Sequence, residues 1–182
     1  GQGSLAEFGV LYEELSLTKE GCVNFSTLDK VLDRSIKLVF IQRSCGYSWR
    51  GSLSLEDIKE VCEFIHNKQP ESICFVDNCY GEFVEDQEPC EVGADLIAGS
   101  LIKNLGGTIV PTGGYIAGRA DLVEKAGCRL TAPGLGSEAG NGFDLNRIVL
   151  QGLFLAPQMV AEALIGADLV GRVFAGLGFG VN

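Results

Sequence analysis

The chain has 182 residues, of which 46% are hydrophobic and 21% charged, and its formal net charge at pH 7 is −10. This length suffices for one compact domain with a hydrophobic core, and the composition is that of a soluble globular protein, not of a disordered or fibrous one. The negative charge argues against nucleic acid or an anionic membrane as a general partner, although it is compatible with a local basic pocket for one phosphate group.

The two ends of the sequence bear on its domain organisation. The chain does not begin with Met or a signal peptide, and it closes with a Gly-rich run at residues 176–182. We therefore expect a piece of a longer protein, in which residues 1–164 are the central part of a large domain. Residues 165–182 would then begin the connection to a C-terminal domain. The apolar runs are short and interrupted by Gly, which argues against a membrane span.

Seven cysteines are scattered along the chain without a Cys-x-x-Cys pair. This pattern favours reduced thiols in an intracellular protein, located in the cytoplasm or in an organelle matrix or stroma. A zinc site needs clustered ligands, and the single histidine, His66, is far from any cysteine pair in the sequence. We therefore predict no metal site. The acidic residues of the segment 82–88 are interpreted as a solvated loop: Glu82, Glu85, Asp86 and Glu88.

The first predicted unit covers residues 8–32. Residues 8–12 and 15–17 are short apolar runs that predict strands, followed by a turn near Gly21. Residues 25–32 predict a helix, with Ser26 as its N-cap.

From residue 36 onwards, predicted strands alternate with helices. Residues 36–41 and 73–76 are short, β-rich apolar runs, and the second of them ends on Asp77. Between them, Ser54 is followed three residues later by an acid, which is typical of a helix start, and apolar residues then recur at helical spacing up to Pro70. Residues 94–100 and 113–118 predict two further strands.

Two helices are predicted in the remaining chain. One begins at Asp121 and extends to about residue 126, and the other covers residues 146–164, with a break or kink at Gly152 and Pro157. Strand–helix–strand alternation favours parallel pairing, with helices on the faces of the sheet. We therefore predict an α/β protein with a three-layer α/β/α arrangement and a mostly parallel sheet.

Polar side chains follow two of the predicted strands. Asp77 ends one strand, Ser100 ends another, and Lys103 follows three residues later. In open α/β sheets, ligands bind at the edge where the strands end, so these side chains could face one crevice. Taken alone, Asp77 is better explained as a turn or cap residue and Lys103 as a solvated lysine. The hypothesis therefore depends on the joint pattern.

That pattern is Phe-Val-Asp-Asn-Cys-Tyr-Gly at residues 75–81, followed by Gly-Ser-Leu-Ile-Lys-Asn-Leu-Gly-Gly at residues 99–107. It resembles the pyridoxal 5'-phosphate (PLP)-dependent family known as aluminium resistance protein or methionine gamma-lyase family protein. This family is a branch of the Cys/Met-metabolism enzymes with the aspartate aminotransferase-like fold. The likeness covers nearly the whole chain, in the segments 41–44, 75–83, 92–104, 113–119, 129–133 and 151–157.

The resemblance implies a role for each of five residues. Lys103 would hold PLP as a Schiff base and later act as the general base, because a desolvated pocket favours the neutral amine. Asp77 would pair with the pyridinium nitrogen, and Ser100 would donate to the cofactor phosphate. Tyr80 would reach the phenolic oxygen of the ring, although a packed aromatic explains it equally well. Asn78 is a weaker cofactor-binding candidate.

Other residues of the likeness are more ambiguous. Arg43 and Arg119 are equally compatible with anion contacts and with structural ion pairs, and Ser44 is a weaker candidate still. Leu105 departs from the family pattern, in which a proline follows Lys-Asn. The departure bears on the local loop and leaves the predicted lysine unchanged.

The resemblance implies that the intact protein is a PLP-dependent carbon–sulfur lyase, acting on a sulfur amino acid by β- or γ-elimination. Two alternatives remain open: another PLP reaction (aldolase, racemase or transaminase), and a non-catalytic remnant of the cofactor domain. A homodimer or homotetramer is expected, because active sites of this fold are normally completed across a dimer interface. The 182-residue chain alone is expected to expose apolar surface and to self-associate.

Overall fold

The protein is built around a mixed sheet of four strands. A computed structural model describes residues 3–33, 35–132, 134–136 and 144–181. In sheet order, the strands are β1 (Leu38–Gln42), β2 (Ile73–Asp77), β3 (Leu96–Ser100) and β4 (Gly114–Gly118). β1, β2 and β3 are parallel, whereas β4 pairs with β3 in the antiparallel direction. The α/β class and the mostly parallel sheet are thus confirmed.

Four α-helices accompany the sheet in the described part of the chain. They are α1 (Phe25–Val31), α2 (Leu55–Lys68), α3 (Ala120–Leu130) and α4 (Asn146–Gly176). Short 3-10 helices cover Leu5–Phe8, Pro89–Val92 and Asn104–Gly106. Each predicted helix is therefore present, with α3 and α4 extending further than the sequence pattern indicated.

Helix α2 shows why the local sequence folds as predicted. The Ser54 hydroxyl accepts a hydrogen bond from the Asp57 N–H at 3.1 Å, and the Asp57 carboxylate accepts one from the Ser54 N–H at 2.8 Å. This reciprocal capping box satisfies backbone donors that the first helical turn leaves unpaired. Behind it, the apolar stripe of α2 is at most 2% exposed at Ile58, Val61, Cys62 and Ile65.

The core lies between α1, α2 and one face of the sheet. Alternate residues of the strands point into it, among them Ile41, Cys74 and Val76. On the opposite face, Leu38 and Phe40 are 46% and 49% exposed. The prediction placed a helical layer on each face of the sheet. Among the described residues, no helix covers the β1 part of this second face.

The prediction for the N-terminal residues is partly wrong. Residues 10–17 contain no strand, and Leu11 and Tyr12 are 96% and 80% exposed. Short apolar runs form strands only where a neighbouring strand can pair with them, and these runs have no such partner among the described residues. Helix α1 is confirmed, but its N-cap is Asn24, whose side chain accepts from the Thr27 N–H at 3.1 Å, and not Ser26.

Helix α4 runs through Gly152 and Pro157 without interruption, so the predicted break is wrong. It also extends past residue 164, which places the predicted domain boundary inside a helix. α4 is 31 residues long, with a window of mean hydropathy 1.7, of which 17% is buried. By length and composition alone it could therefore cross a membrane, contrary to our expectation from the sequence. Core helices of soluble proteins meet the same criterion.

Candidate functional site

The sheet brings Asp77 and Ser100 to one face. Asp77 is paired with Ala98 across the parallel β2–β3 ladder, and Ser100 is two residues further along β3. Because side chains two residues apart in a strand point the same way, the carboxylate and the hydroxyl share the face that is turned away from the α2 core. Lys103 follows β3 after one short turn, at the same edge.

Tyr80 completes the group from the turn after β2. The Lys103 ammonium lies 4.5 Å from the centroid of the Tyr80 ring, within the range of a cation–π interaction. Tyr80 has a φ of 69°, a left-handed backbone conformation that is costly for an aromatic residue. The turn is held by hydrogen bonds from the Cys79 N–H to the Asp77 carboxylate at 3.1 Å and from the Gly81 N–H to the Asn78 carbonyl at 2.8 Å.

Cys79 also belongs to this group, although its sequence context did not single it out. Its thiol lies near the Asp77 carboxylate, the Lys103 amine and the Ser100 backbone. Burial raises the pKa of the thiol, and the bond to Asp77 raises it further. A signal was available in the sequence, because Cys79 is two residues beyond Asp77 and follows the same alternation.

The neighbours of Lys103 favour its charged form in the ligand-free site. Its partial burial lowers the pKa, but the neighbouring Cys79, Tyr80 and Asp77 outweigh burial, so the pKa is raised above the ordinary lysine value. The neutral amine expected in a cofactor pocket stays a prediction. The ammonium is held by its neighbours, and a reaction at Nζ requires this proton to leave.

Two contacts fix the backbone next to Lys103. The Asn104 amide donates to the Glu82 carbonyl at 3.1 Å, which ties the turn after β3 to the loop after β2. On the other side, a Cβ added to Gly107 would lie 2.3 Å from the Gly152 carbonyl oxygen, and Gly107 has a φ of 54°. The turn that follows Lys103 therefore packs directly on the backbone of α4, and only glycine permits this approach.

Asn78 and Arg43 belong to a separate, buried network. Asn78 is fully buried; its side-chain oxygen accepts from Arg43 at 2.8 Å, and its amide donates to Glu88 at 2.7 Å. Arg43 is 3% exposed and pairs with Glu85 at 2.5 Å. Asn78 is thus directed away from Lys103 and Asp77, because successive residues alternate in direction. The Asn78 side chain is thus already bonded to Arg43 and Glu88, and its contact with the cofactor stays a prediction, whereas Arg43 forms a structural ion pair.

Glu82 corrects the interpretation of residues 82–88 as a solvated loop. It is 2% exposed, and its Oε1 accepts a hydrogen bond from the Tyr115 hydroxyl at 2.8 Å. Its Oε2 is buried without a partner in the described part of the chain. Burial raises the pKa of this carboxyl, since the charged form loses its hydration. Glu85 and Asp86 are exposed, as expected of the loop.

The remaining candidates do not join the group. Arg119 pairs with Asp95 at 3.2 Å and with Asp121 at 3.0 Å, so it serves as a structural ion pair. The Ser44 carbonyl accepts from Arg50 at 2.6 Å, apart from the predicted lysine. Pro133, the last residue of one segment of the family likeness, lies outside the described residues.

A surface hollow of about 720 Å³ lies elsewhere, between the start of α2 and residues 84–87. Glu56, Glu85, Asp86 and Glu91 line it, together with Lys59. None of the predicted cofactor residues contributes to it. Its acidic lining makes it a poor match for a phosphate-bearing cofactor, so the Lys103 group remains the candidate site.

The potential metal ligands His66, Cys74 and Asp95 lie closer together in the folded chain than their spacing in the sequence indicates. His66 Nε2 is 2.9 Å from the Asp95 carboxylate, and the ligand atoms of His66, Cys74 and Asp95 all lie within 4.8 Å of one another. The argument that His66 is far from a cysteine pair holds along the sequence and is wrong in the folded chain.

Comparison with known families shows to which family the chain belongs. The whole chain, residues 1–182, matches the model of the family described as Methionine gamma-lyase. The chain belongs to the methionine gamma-lyase family. The resemblance seen in residues 75–81 and 99–107 is thereby confirmed.

Individual relatives agree with this assignment. The uncharacterized protein YnbB of Bacillus subtilis is 45% identical over 180 residues, which are 99% of this chain and 43% of YnbB. A solved structure from Clostridium novyi, described as a carbon-sulfur lyase involved in aluminum resistance, is 52% identical with a TM-score of 0.93. That match covers 98% of this chain and 43% of the Clostridium protein. The chain thus spans less than half the length of these two family members.

A more distant match extends the fold assignment. A methionine gamma lyase from Micromonospora echinospora is 23% identical with a TM-score of 0.58, over 84% of this chain and 38% of that protein. At this identity, the match shows a shared fold and carries no functional argument. The four-stranded α/β sheet described here is therefore part of a lyase-type fold that also occurs beyond the close family members.

Proposed function

We propose that this chain supplies the cofactor lysine and the cofactor acid of a PLP-dependent carbon–sulfur lyase. The observation that carries the proposal is the meeting of Asp77, Tyr80, Ser100 and Lys103 at the ends of two adjacent parallel strands. The name of the Clostridium relative, a carbon-sulfur lyase, supports the reaction class.

The donor set fits PLP. Asp77 offers a carboxylate for the ring nitrogen, Lys103 an amine for the aldehyde, and Ser100 a hydroxyl for the phosphate. The Ile102 N–H, which donates to the Ser100 hydroxyl at 3.3 Å, adds a second polar group beside it. The Asp77 carboxylate lies near enough to Lys103 to raise its pKa, so the acid and the amine are placed to serve one cofactor.

When bound, PLP supplies an electron sink for the negative charge that develops at the α-carbon of an amino-acid substrate. The residues of this chain perform the remaining tasks. Lys103 Nζ, once its ammonium has lost its own proton, would take the α-proton as the general base and pass it to the thiol that leaves. Asp77 would hold a proton at the heterocyclic nitrogen, and the Tyr80 ring, 4.5 Å from Nζ, would orient the Lys103 amine. Sulfur amino acids that lose a thiol after α-proton removal are the proposed substrates.

Absorbance and covalent trapping test the cofactor assignment. We expect the longer protein that contains this chain to be yellow, and borohydride to fix PLP irreversibly on the peptide that contains Lys103. Lys103→Ala should lose the covalent linkage, whereas Lys125→Ala, which changes a lysine that is 76% exposed, should retain it. Trapping on another lysine would reject the assignment of Lys103.

Product analysis tests the reaction class. The same protein, incubated with cystathionine, cysteine and methionine, should release ammonia together with pyruvate or 2-oxobutyrate from at least one of them. Racemised, transaminated or aldol-cleaved products would instead assign another PLP reaction to the same lysine. Absence of all turnover in a protein that traps PLP would favour a cofactor-binding remnant without catalysis.

A further inference from the structure

Three potential metal ligands meet on the core side of the sheet, on the face opposite to Asp77 and Ser100. His66 comes from α2, Cys74 from β2, and Asp95 from the residue before β3. The ligand atoms of these three residues lie within 4.8 Å of one another. Cys62, also in α2, is fully buried beside Cys74, where its thiol is placed to supply a fourth ligand.

The fold holds these side chains before any ion is bound. Cys62 and His66 are four residues apart in α2, so they project from the same side of the helix. Cys74 points into the core from the central part of the sheet and is fully buried, as is Cys62. Asp95 is fixed by the Cys74 N–H, which donates to its Oδ2 at 2.8 Å. Ligands on rigid helices and strands keep a defined geometry more easily than ligands on loops.

The chemistry of the set selects one class of cation. Thiolate, imidazole and carboxylate groups are the ligands that Zn²⁺ takes in four-coordinate protein sites. Zinc–ligand bonds place neighbouring ligand atoms roughly 3.3–3.8 Å apart in a tetrahedron, so the ligand atoms of His66, Cys74 and Asp95, which lie within 4.8 Å of one another, would draw closer together to share one ion. Hard cations such as Mg²⁺ prefer sets made only of oxygen, and the two buried thiols disfavour them.

Solvent can reach the cluster, and a neighbouring arginine orients its carboxylate. The His66 side chain is 33% exposed, which leaves an approach from solvent to the otherwise buried sulfur atoms. Asp95 presents its Oδ1 to Arg119 at 3.2 Å, so Arg119 can orient the carboxylate while Oδ2 faces His66 at 2.9 Å. Hydrogen bonds to a ligating carboxylate are a common feature of metal sites and fix its direction.

From these observations, we infer that Cys62, His66, Cys74 and Asp95 form a binding site for a zinc-class divalent cation, separate from the Lys103 group. Binding would break the direct His66–Asp95 contact and replace it with two bonds to the ion. It would also release protons from the two thiols, so affinity should fall as the pH is lowered. The ion would connect the last turns of α2 to β2 and to the start of β3, and would therefore stabilise the core and not take part in the chemistry at Lys103.

Zinc titration of the purified protein against a chromophoric chelator tests the inference. We expect one Zn²⁺ per chain, an increase of the melting temperature with Zn²⁺ concentration, and no competing effect of Mg²⁺. Co²⁺, used as a spectroscopic probe, should give the intense visible absorption of a four-coordinate thiolate site.

Single substitutions connect binding to these residues. His66→Asn should lower the Zn²⁺ affinity at least about tenfold, the lower limit for losing even a hydrogen-bonding partner of a ligand. His66 is partly exposed, so this variant should keep its fold, which circular dichroism can verify. Cys74→Ala should have the same effect on affinity. The double variant Cys22→Ser/Cys128→Ser, which removes two exposed thiols, is the matched control and should bind as tightly as the wild type.

Three results would overturn the inference: no uptake of Zn²⁺ by the folded protein, unchanged affinity of His66→Asn, or loss of binding in the Cys22/Cys128 control. In each case, His66, Asp95 and Arg119 would act as an ion-pair network only. PLP trapping on Lys103 is read out independently, so failure of either hypothesis leaves the other intact.

Discussion

The Lys103 amine depends on its closest neighbours for its charge. Cys79 contacts Nζ, Tyr80 lies under it at 4.5 Å, and Asp77 adds negative charge. These three groups stabilise the ammonium, whereas capture of an aldehyde requires the free amine. The ligand-free site therefore holds a smaller fraction of free amine at a given pH than an ordinary lysine would.

This charge state predicts a pH dependence. The raised pKa of Lys103 means that the rate of PLP capture should increase with pH beyond the range expected for an ordinary lysine. Cys79→Ala removes the main group that raises the pKa, so its pH–rate profile should shift toward lower pH. Stopped-flow absorbance at a series of pH values measures the shift. Cys45→Ala, which changes a cysteine outside the group, is the control, and coincident profiles for Cys79→Ala and wild type would contradict the argument.

Glu82 offers a second test at the scale of one residue. Its pKa is raised in the folded state, so folding favours its protonated form, and this contribution to stability is present at low pH and lost as the pH rises through the folded pKa. Glu82→Gln keeps the shape and removes the ionisation. The difference in unfolding free energy between the variant and the wild type should therefore become more favourable to the variant as pH increases, by about 1–3 kcal/mol in total.

Urea unfolding of both proteins between acidic and alkaline pH measures this difference. Asp86→Asn would serve as a control for general charge effects, because Asp86 is exposed at the surface of the same loop. A Glu82→Gln variant whose relative stability is constant over the pH range would show that the carboxyl is hydrated in solution.

Residues 77–82 also show what could not be predicted at this scale. Asp77 ends a strand as the sequence predicts, and Asn78 is a candidate only because it follows Asp77 in the family motif. Alternation along the extended chain places the two side chains on opposite sides, and only the folded sheet shows that Asn78 binds Arg43. Glu82 looked solvated because acidic side chains surround it in sequence, whereas Tyr115, 33 residues later, covers it.

Among the elements, α4 and the turn after Lys103 form the closest contact near the site. A Cβ at Gly152 would lie 2.4 Å from the Gly106 carbonyl oxygen, and one at Gly107 would lie 2.3 Å from the Gly152 carbonyl oxygen. Backbone atoms cannot move aside as a flexible side chain can. The position of the lysine turn is therefore set by this helix.

Gly107→Ala tests the contact. We expect a loss of about 2–4 kcal/mol of unfolding free energy, because the new methyl group overlaps the α4 backbone and the residue has a left-handed φ of 54°. Chemical denaturation measures it. Gly166→Ala is the matched control in the same helix: nothing lies within 4 Å of its added Cβ, so it should stabilise α4 by up to about 1 kcal/mol. Equal effects of both substitutions would disprove the contact.

The elements that could be predicted are those with a strong local signal. α2 combines a capping box with an apolar stripe, and β2 is an apolar run that ends at an acid. The direction of β4 could not be predicted, because a short apolar segment looks the same whether it pairs in parallel or antiparallel. The end of α4 could not be predicted either, because the helix continues from residue 164 to Gly176 through Gly166 and Gly171, which lower helix propensity. Gly152 and Pro157 do not interrupt it, and Gly152 packs closely on the Gly106 carbonyl.

At the scale of the whole molecule, much apolar surface is uncovered. Along α4, Phe154 is 84% exposed, Ile165 63% and Leu169 61%, and Phe40 on the open face of the sheet is 49% exposed. Apolar patches of this extent mark surfaces that contact other protein or lipid. The two close relatives reported above are more than twice as long as this chain.

This surface predicts the behaviour of the 182-residue chain in isolation. Light scattering after size-exclusion chromatography should show concentration-dependent self-association, because burial of apolar area is favourable by about 25 cal/mol per Å². Phe154→Lys combined with Leu169→Lys should reduce the association. Lys103→Ala, which leaves α4 unchanged, should not reduce it. A monodisperse monomer at all concentrations would refute the prediction.

The direct backbone contact between Gly152 and residues 106–107 has a mechanical consequence. No side chain separates the two segments, so a rotation of α4 about its axis would move the peptide segment that carries Lys103. A partner that docks along the exposed side of α4 would therefore change the position of the Lys103 amine.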